Sequence, residues 1–517
     1  MGKIVDRMSR LKSINNQNFD VLVVGGGASG AGIALDASLR GYKVLIIDKG
    51  DFASQTSSKS TKLIHGGVRY LEQAVKKFDF SQLKMVYKAL HERKNMIHNA
   101  PHLSNALPLI TPCYSIIEKW YYGIGMKIYD LLAGNTNLQS SQFLTNKKIN
   151  EICPGINTQG MVGGILYYDG QMNDARYNLS LIYTAQKNGA NCLNYVSLKK
   201  YHKQGDSIEL VLQDEINQEE ITVFAKSVIN ATGPFSDTIR MLANPQLKPR
   251  MTVSRGAHIV LDKEFFPGDH ALLIPKTKDG RVIFVIPFRN YVLVGTTDDP
   301  DELNDHPEIL EIEKEYLLEY FNEFANSRAH KKDIKGVFVG QRPLVSLDPE
   351  EVNDTKSLVR DHLVEYDPKS NLISILGGKW TTYRVMAEDT VDEMEEKIFH
   401  KNSKEAVTKN HLLVGGEGFN SSLLEKIALD PPLKNLVLAH WKETYGSQAP
   451  LVKEICDNQN DGWDPILPDH PYLKGEITYL KKFEFVQKNE DIVERRWGIS
   501  LRDIELSNKI LKLIKED

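Results

Sequence analysis

Two kinds of apolar run alternate along most of the chain. Short continuous runs at residues 19–27 (FDVLVVGGG) and 42–48 (YKVLIID) contain few polar positions, which is typical of strands buried on both faces of a parallel sheet. Residues 29–41, between those runs, and residues 79–100 have the length and spacing of helices. Because strand-like and helix-like runs keep alternating to about residue 390, the pattern predicts an α/β domain.

Later runs predict a second sheet and a helical end. Several of them alternate apolar and polar positions, so we expect a second, partly antiparallel sheet. These strand-like runs cover residues 208–213, 225–233, 257–262, 280–288, 291–298 and 371–378. Beyond about residue 400 the apolar spacing becomes helical, at residues 421–441, 449–459 and 501–516. The pattern therefore predicts an α-helical C-terminal domain.

Composition narrows the class of protein. A chain of 517 residues has room for more than one domain. A net charge of −4 lacks the basic excess of a nucleic-acid-binding protein. No apolar stretch reaches the ~20 residues of a membrane-spanning helix, and the start shows no secretory signal. The four cysteines are scattered, so we expect free thiols in a reducing compartment, with neither a metal site nor a disulfide framework.

The first 18 residues form a basic segment. Lys3, Arg7, Arg10 and Lys12 stand against one acid, Asp6. Such a segment can be a surface helix near anionic lipid or a frayed terminus. We expect the frayed terminus.

The glycines after the first strand form a dinucleotide-binding pattern. Gly25 permits the tight turn, Gly27 lets a pyrophosphate approach the backbone, and Gly30 lets the helix pack on the strand. The helix then points its free N–H groups at the phosphates. Asp48 ends the second strand, where an acid accepts a hydrogen bond from a ribose hydroxyl. An acid there disfavours NADP, but this pattern leaves NAD and FAD open.

Two further segments favour a flavin over NAD. Residues 227–237 run from a strand into Ala231, Thr232 and Gly233, a second crossing of small residues near the dinucleotide. Residues 56–73 are rich in small hydroxyl residues and glycines and could lie along an isoalloxazine ring, whereas NAD dehydrogenases normally continue with a third strand. The candidate cofactor contacts in this segment are Ser57, Ser58, Lys62, Leu63, His65, Gly66 and Gly67.

Together these motifs resemble the FAD-dependent glycerol-3-phosphate dehydrogenases, membrane-associated enzymes that pass electrons to quinone. The resemblance covers about residues 19–390 and rests on GGGASGAGIALDA, TSSKSTKLIHGGVRYL, YYDGQMNDARYNL, VINATGPFSD, GQRPLV and GGKWTTYRVMAED. Several stretches are especially similar to mitochondrial members, but the chain ends without the EF-hand extension of the animal enzymes. We therefore expect a bacterial enzyme, cytoplasmic and peripherally attached to the inner face of the cell membrane, with a mitochondrial location less favoured.

The resemblance also implies a fold and a division of the chain. We expect a Rossmann-type FAD-binding domain interleaved with a mixed β-sheet substrate domain, as in glutathione reductase and D-amino-acid oxidase, and then an α-helical C-terminal domain. The basic segment takes residues 1–18, the oxidoreductase region residues 19–400 and the helical domain residues 401–517. The FAD-binding parts are expected at about residues 19–100, 160–250 and 340–400, and the substrate domain at about residues 101–159 and 251–339.

The implied substrate is sn-glycerol 3-phosphate, whose phosphate dianion calls for guanidinium or ammonium groups. The family's pocket maps onto Arg69, Tyr70, His258, Arg342, Arg360 and Lys379. His258 suits the general base that takes the C2 hydroxyl proton while a hydride passes from C2 to the flavin. Arg342 could stabilise the developing alkoxide. The remaining residues are assigned to the phosphate, except that Arg69 could serve either end of the substrate.

Residues 373–389 offer a last flavin contact. A strand ends at Gly377–Gly378, and a helix begins near Thr381 or Thr382. The positive end of that helix could face the flavin edge that gains negative charge on reduction. Gly378, Lys379, Thr381 and Thr382 are therefore candidate cofactor contacts.

The resemblance implies a membrane quinone as the electron acceptor and sn-glycerol 3-phosphate as the small-molecule partner. A related oxidase group passes electrons to oxygen and makes hydrogen peroxide, but no segment here corresponds to the oxidases' large insertion, so the dehydrogenase is favoured. Residues 116–134 suit either a membrane-contacting helix or an amphipathic helix packed on the core, and we expect the latter. A homodimer is expected.

Two other functions compete with this interpretation. A flavoenzyme that oxidises amines or amino acids would need a carboxylate-binding arginine but not this density of cations. A flavin-binding interaction protein that has lost catalysis would lack key side chains, and His258, Arg342 and Lys379 are all present. The sequence therefore favours an enzyme.

Overall fold

The structure is a computed structural model that describes residues 7–67, 71, 80–346, 362–402, 404–418 and 429–516. Its strands within those residues are β1 (Asn18–Val24), β2 (Val44–Ile47), β3 (Leu63–Ile64), β4 (Ser104–Cys113), β5 (Gln142–Leu144), β6 (Gly163–Met172), β7 (Asn191–Leu193), β8 (Val196–Gln204), β9 (Ser207–Asp214), β10 (Glu220–Asn230), β11 (Met251–Asp262), β12 (Ala271–Ile274), β13 (Ile283–Phe288), β14 (Tyr291–Gly295), β15 (Asp299–Asp301), β16 (Gly336–Val345), β17 (His362–Asp367) and β18 (Leu372–Gly377). Its longer helices are α1 (Arg7–Ile14), α2 (Ala28–Leu39), α3 (Phe80–Asn99), α4 (Ile116–Ala133), α5 (Asn146–Ile152), α6 (Asp174–Lys187), α7 (Ser236–Ala243), α8 (Glu311–Phe324), α9 (Tyr383–Lys397), α10 (Pro431–Thr444), α11 (Ala449–Asn458), α12 (Lys474–Phe483) and α13 (Ile504–Glu516).

Parallel strands form the centre of the first sheet. Its order is β17-β18-β10-β1-β2-β7, parallel from β18 to β7, with β17 antiparallel at one edge and the antiparallel pair β8–β9 joined to β10. Strands β1 and β2 are buried along nearly their whole length, as their continuous apolar runs predict. Helices α2, α6 and α9 pack together in one apolar core with these strands, so the glycine turn between β1 and α2 lies at the carboxyl edge of the sheet.

The predicted second sheet is present, and it is mostly antiparallel where the pattern predicted a partly antiparallel one. Its order is β15-β11-β14-β13-β12-β4-β6-β3, with β16 on β11 and β5 on β6, and its β12–β4 pair is parallel. The β11–β16 pairing sets His258 opposite Phe338 and Ser254 opposite Arg342. Strands β3 and β6 come from stretches assigned to the cofactor-binding part. The chain therefore crosses between the sheets more often than the approximate domain ranges suggest.

Helices α10 to α13 share a separate apolar core, in which Trp441 and Trp497 are fully buried. The short helical turns Asn489–Asp491 and Ile492–Arg496 connect α12 to α13. The predicted helical C-terminal domain is therefore confirmed. Part of the predicted run 421–441 lies outside the described residues, and α10 begins at Pro431.

The expected fraying of the basic N-terminal segment is wrong for residues 7–14. They form α1, whose Leu11 and Ile14 are buried in a core shared with the first sheet. Arg7 Nη2 lies 2.5 Å from Asp214 Oδ1 in a largely buried ion pair. Apolar burial and this ion pair stabilise a helix that the basic composition alone does not indicate.

Candidate active site

The turn between β1 and α2 has the backbone that its glycines predict. Gly25 has a φ of +105°, and a Cβ there would lie 2.6 Å from the carbonyl oxygen of Ala231. A Cβ at Gly30 would collide with the carbonyl oxygen of Gly25, so α2 approaches β1 only because position 30 has no side chain. The result is a cradle of backbone atoms that fits a pyrophosphate at the start of a helix.

Asp48 borders this cradle. Its Oδ2 accepts a hydrogen bond from Gly26 N at 2.7 Å, and its Oδ1 accepts one from Gly50 N at 2.8 Å. Burial raises the pKa of Asp48 to about 6, although these two N–H groups oppose the shift. The carboxylate is therefore mainly ionised at neutral pH, and its remaining lone pairs can accept hydrogen bonds from a ribose.

A cavity of about 360 Å³ opens where β1, β10 and β18 end. Its walls are the glycine turn, the loop 48–57, the start of β8 and the turns that follow β10 and β18. The predicted residues that line it are Gly25, Gly27, Asp48, Ser57, Ala231, Thr232, Gly233, Gly378 and Lys379. A crevice at the carboxyl ends of parallel strands is where open α/β sheets bind dinucleotides. The position and lining of this cavity suit such a ligand.

Ser57 connects three walls of the cavity. Its Oγ accepts a hydrogen bond from Ala28 N, at the start of α2, at 2.9 Å. Its carbonyl oxygen accepts one from Trp380 Nε1, in the turn after β18, at 2.9 Å. Trp380 was not among the predicted contacts, although it directly follows Lys379 in the GGKWTTY motif. A single tryptophan in the sequence gives no pattern that distinguishes a residue of a cavity wall from a residue of the hydrophobic core.

The next part of the loop does not line the cavity. Lys62 is buried, and its Nζ donates to Asp174 Oδ1 at 2.5 Å and to the carbonyl oxygen of Ser58 at 2.6 Å. Leu63 belongs to β3 and pairs with β6. Lys62 and Leu63, predicted as cofactor contacts, therefore contact Asp174 and β6 instead, and nothing in the sequence indicated these contacts.

Gly66 is tied to a buried polar network. Its N–H donates to Tyr129 OH at 2.8 Å, and Tyr129 OH donates to Asp169 Oδ1 at 2.8 Å. Arg93 Nη1 donates to the same oxygen of Asp169 at 2.6 Å. Gly67 follows with a φ of +84°, which favours glycine. This loop is therefore fixed by contacts from α3, α4 and β6.

His65 precedes that anchor and is neutral at physiological pH. Burial lowers the pKa of His65 to about 4, and the positive charges of Lys379 and Arg93 act in the same direction. His65 does not line the 360 Å³ cavity.

His258 is a buried imidazole on β11. Its Nε2 lies 3.0 Å from Thr61 Oγ1, and its ring stacks on Phe338 with centroids 4.5 Å apart. Burial lowers the pKa of His258 well below its usual value, and the positive charges of Arg342 and Lys62 lower it further. The imidazole is therefore unprotonated at neutral pH, which is the form that a general base needs.

Arg342 projects from β16, the strand paired with β11. Its Nη1 donates to the carbonyl oxygen of Arg255 at 3.0 Å and to Asp298 Oδ1 at 3.2 Å. Its Nη2 donates to Thr296 Oγ1 at 2.9 Å and to the carbonyl oxygen of Thr297 at 3.0 Å. The side chain is 31% exposed, so a guanidinium with a fixed orientation keeps part of its surface open.

Lys379 lines the cavity after β18, and its Nζ lies 3.8 Å from Met85 Sδ. The two threonines expected near the flavin do not line the cavity. Thr381 is buried, and Thr382 Oγ1 donates to the carbonyl oxygen of Lys379 at 3.2 Å. Helix α9 begins at Tyr383, after a short helical turn at residues 380–382.

The predicted substrate contacts Arg69, Tyr70 and Arg360 lie outside the described residues. Among the described residues, His258 and Arg342 do not line the cavity itself, but Pro343, next to Arg342, does. Strand β16, which carries Arg342, therefore reaches the cavity, and it pairs with β11, which carries His258.

Comparison with known proteins gives matches over nearly the whole chain. The model of the FAD dependent oxidoreductase family matches residues 20–384, and that of the C-terminal domain of alpha-glycerophosphate oxidase matches residues 406–516. A Dictyostelium discoideum protein named "Probable glycerol-3-phosphate dehydrogenase, mitochondrial" is 40% identical over 501 residues, 94% of this chain and 78% of that protein. The mitochondrial glycerol-3-phosphate dehydrogenase of Rattus norvegicus is 39% identical over 515 residues, 97% of this chain and 70% of that protein. The X-ray structure of the glycerol-3-phosphate dehydrogenase from Bacillus halodurans complexed with FAD matches with a TM-score of 0.79 and 27% identity, covering 100% of this chain and 93% of that chain.

The fold and the cavity thus define an FAD-dependent oxidoreductase, and the expected cofactor, FAD, is confirmed. The glycine cradle and the Asp48 carboxylate fit this dinucleotide. More particularly, the chain belongs to the glycerol-3-phosphate dehydrogenase family, as its motifs indicated.

The expected bacterial location at the cell membrane is wrong. The named relatives from Dictyostelium discoideum, Caenorhabditis elegans, Arabidopsis thaliana and mammals are mitochondrial proteins. The expectation rested on where the chain ends, and a chain end carries no information about location. Within the described residues, we find no helix with the length and hydropathy needed to cross a bilayer.

Proposed function

We propose that this protein oxidises sn-glycerol 3-phosphate to dihydroxyacetone phosphate and passes the electrons to a membrane quinone. The observation that carries the proposal is the pairing of β11 with β16. Strand β11 carries the neutral, buried imidazole of His258, and β16 carries the fixed guanidinium of Arg342 and reaches the cavity through Pro343. Relatives that are 38–40% identical bear the name glycerol-3-phosphate dehydrogenase.

Oxidation of the secondary alcohol removes a hydride from C2 and a proton from its hydroxyl. FAD, when bound, supplies the acceptor for the hydride. His258 takes the proton, because its lowered pKa keeps the imidazole unprotonated at neutral pH. Thr61 Oγ1, 3.0 Å from Nε2, orients the ring.

Arg342 compensates for the weak basicity of His258. A histidine with a strongly lowered pKa is a poor acceptor for the proton of an ordinary alcohol. The guanidinium of Arg342 stabilises the negative charge that develops on the C2 oxygen and so lowers the pKa of the hydroxyl as well. Lys379, at the cavity wall, binds the phosphate together with Tyr70 and Arg360, and Arg69 binds one or other end of the substrate.

Helix α4 supports the proposed membrane contact. Its strongly exposed apolar side chains lie on one face of the helix: Ile116, Ile117, Trp120, Tyr121, Ile124 and Leu131. The opposite face is buried through Gly123, Met126, Tyr129 and Ala133. A helix packed only on the core would turn polar side chains to water, so the core-packing interpretation accounts for one face alone. An apolar face of this kind suits a bilayer surface, where a quinone is accessible.

A double substitution tests this contact. Ile117→Glu with Leu131→Glu places charge on the two most exposed of these positions, 81% and 80% exposed. We expect the variant to lose cosedimentation with phospholipid vesicles while keeping its activity with a water-soluble quinone. Ile216→Glu, at an exposed apolar position on another surface, is the matched control and should keep vesicle binding. Unchanged vesicle binding by the double variant would argue against α4 as the contact.

The second candidate is a glycerol-3-phosphate oxidase, which passes electrons to oxygen and makes hydrogen peroxide. The oxidase domain model that matches residues 406–516 is the observation in its favour, whereas the named relatives are dehydrogenases. We expect substrate-dependent quinone reduction in the absence of oxygen and little peroxide in its presence. Peroxide formed at the rate of substrate consumption would establish the oxidase instead. The homodimer stays a prediction.

A further inference from the structure

A buried ion cluster joins the cavity loop to the C-terminal helical domain. Asp51, three residues beyond Asp48, is 1% exposed. Its Oδ2 accepts hydrogen bonds from Arg495 Nε at 2.5 Å and from Arg496 Nη1. Its Oδ1 accepts from Arg496 Nη2 at 3.1 Å and from Asn194 Nδ2 at 2.7 Å. Burial opposes the charge on Asp51, but the two guanidinium groups hold the pKa of its carboxyl below the usual value.

The same C-terminal segment supports the neighbouring wall of the cavity. Asp491 Oδ1 accepts a hydrogen bond from Tyr195 OH at 2.6 Å. The next residue, Val196, lines the cavity and donates its N–H to the carbonyl oxygen of Asp48 at 2.7 Å. Residues 489–496 therefore hold both the loop after β2 and the start of β8.

The loop after β2 has little structure of its own. Apart from a short helical turn at residues 56–58, residues 48–57 form turns and bends. Yet this loop supplies the cavity with Asp48, Lys49, Ala53, Ser54, Gln55, Thr56 and Ser57. Its arrangement therefore depends on contacts with other parts of the chain, and the contacts at Asp51 are fully desolvated.

We propose that Arg495 and Arg496 of the C-terminal domain are positioning residues for FAD, which act by holding Asp51 and with it the cofactor loop. The two arginines do not line the cavity, so their effect passes through the loop. The inference rests on FAD binding in this cavity and not on the substrate or the electron acceptor. It gives the C-terminal domain a part in cofactor retention.

The test measures the FAD dissociation constant and the melting temperature of the apoprotein for full-length variants. Asp51→Asn keeps the volume of the side chain but removes its charge, and Arg496→Lys keeps a positive charge but loses the two-pronged contact. If the freed loop keeps its binding arrangement in about one molecule in ten, the apparent dissociation constant rises about tenfold. We expect this rise for Asp51→Asn and a smaller rise for Arg496→Lys.

Glu484→Gln is the matched control. The Glu484 side chain forms a buried, two-pronged ion pair with Arg176, at 2.5 and 2.9 Å, which also joins the C-terminal domain to the rest of the chain. Arg496 donates to the backbone carbonyl oxygen of Glu484, which the substitution leaves in place, so only the side-chain ion pair is lost. This variant should lower the melting temperature and leave FAD affinity within about twofold of the wild type.

Two results would overturn the inference. One is a lower melting temperature for Asp51→Asn with wild-type FAD affinity, because the cluster would then be merely structural. The other applies if Asp51→Asn does not fold. In that case the milder variant, Arg496→Lys, decides the test, and wild-type FAD affinity of this variant would overturn the inference. A wild-type protein that binds FAD but does not oxidise sn-glycerol 3-phosphate would contradict the proposed function and leave this inference standing.

Discussion

The dinucleotide cavity and the neighbouring His258–Arg342 pair differ in the kinds of chemical group that form them. Glycines and alanines line the cavity at the turns after β1, β10 and β18, and Asp48 is held there by two backbone N–H groups. The pair instead consists of ionisable side chains, one buried and one with a fixed orientation. The cavity has the shape to bind a cofactor, and the pair has the side chains to accept a proton and to stabilise a developing negative charge. Substitutions in the two regions should therefore affect different measured quantities.

The largest effect is expected at His258. Asn has no basic nitrogen, so His258→Asn should lower the rate of flavin reduction by about 10²- to 10⁴-fold. FAD affinity and the visible spectrum of the bound flavin should stay as in the wild type, because His258 does not line the cavity. Single-turnover reduction by sn-glycerol 3-phosphate is the measurement. If His258→Asn instead loses FAD but reduces the remaining bound flavin at the wild-type rate, His258 serves cofactor binding and the two regions do not differ in function.

Arg342→Lys should give the next largest effect. An ammonium group cannot reproduce the orientation that Arg255, Thr296, Thr297 and Asp298 give the guanidinium. Losing one oriented donor at a developing oxyanion costs about 10²- to 10³-fold in rate. The same single-turnover assay applies, with FAD content as the control. A variant that changes only KM would place Arg342 in substrate binding alone.

Gly25→Ala should affect the cavity and not the chemistry. A side chain at a φ of +105° is strained, and its Cβ would press on the carbonyl oxygen of Ala231. Such strain costs roughly 1–3 kcal/mol, which corresponds to an FAD affinity about 10- to 100-fold weaker if the turn must relax. The rate per bound flavin should be unchanged. Gly41→Ala, also at positive φ but with no atom within 4 Å of the new Cβ, is the control and should bind FAD normally.

The smallest effect concerns Asp48 and pH. Burial raises the pKa of Asp48 from 3.8 to about 6 in the folded apoprotein. The folded state therefore binds the proton more tightly than the unfolded state does, so this group's contribution to the free energy of unfolding is fully present below about pH 3.8 and is lost as the pH rises through about 6. FAD affinity should change in the opposite direction, because a ribose hydroxyl binds best to the ionised carboxylate.

Asp48→Asn should remove this pH dependence and weaken FAD binding about three- to tenfold at pH 7. Titrations of both proteins with FAD between pH 5 and 8 test it. Parallel pH profiles of the variant and the wild type would mean that another group titrates.

The parts of the site that sequence reasoning found are local in sequence. Gly25, Gly30 and Asp48 follow from the order strand, glycine turn, helix and strand, because each role depends on near neighbours. The same holds for β1 and β2, whose continuous apolar runs predict burial on both faces.

The parts that it missed depend on contacts between distant segments. Arg496 lies 445 positions from Asp51, and no spacing rule connects them. The burial of α1 depends on its fit to the first sheet, so its basic composition led to the wrong prediction of a frayed end. Lys62 is similar, since its partner Asp174 comes 112 positions later.

The central claim is that bound FAD is reduced by sn-glycerol 3-phosphate with His258 as the base. The most direct test is to mix the oxygen-free holoprotein with this substrate and follow the visible flavin band, in the wild type and in His258→Asn. The account predicts rapid bleaching in the wild type, none with glycerol, and bleaching slowed by about 10²-fold or more in the variant. A wild-type flavin that stays oxidised, or a variant that bleaches at the wild-type rate, would contradict it.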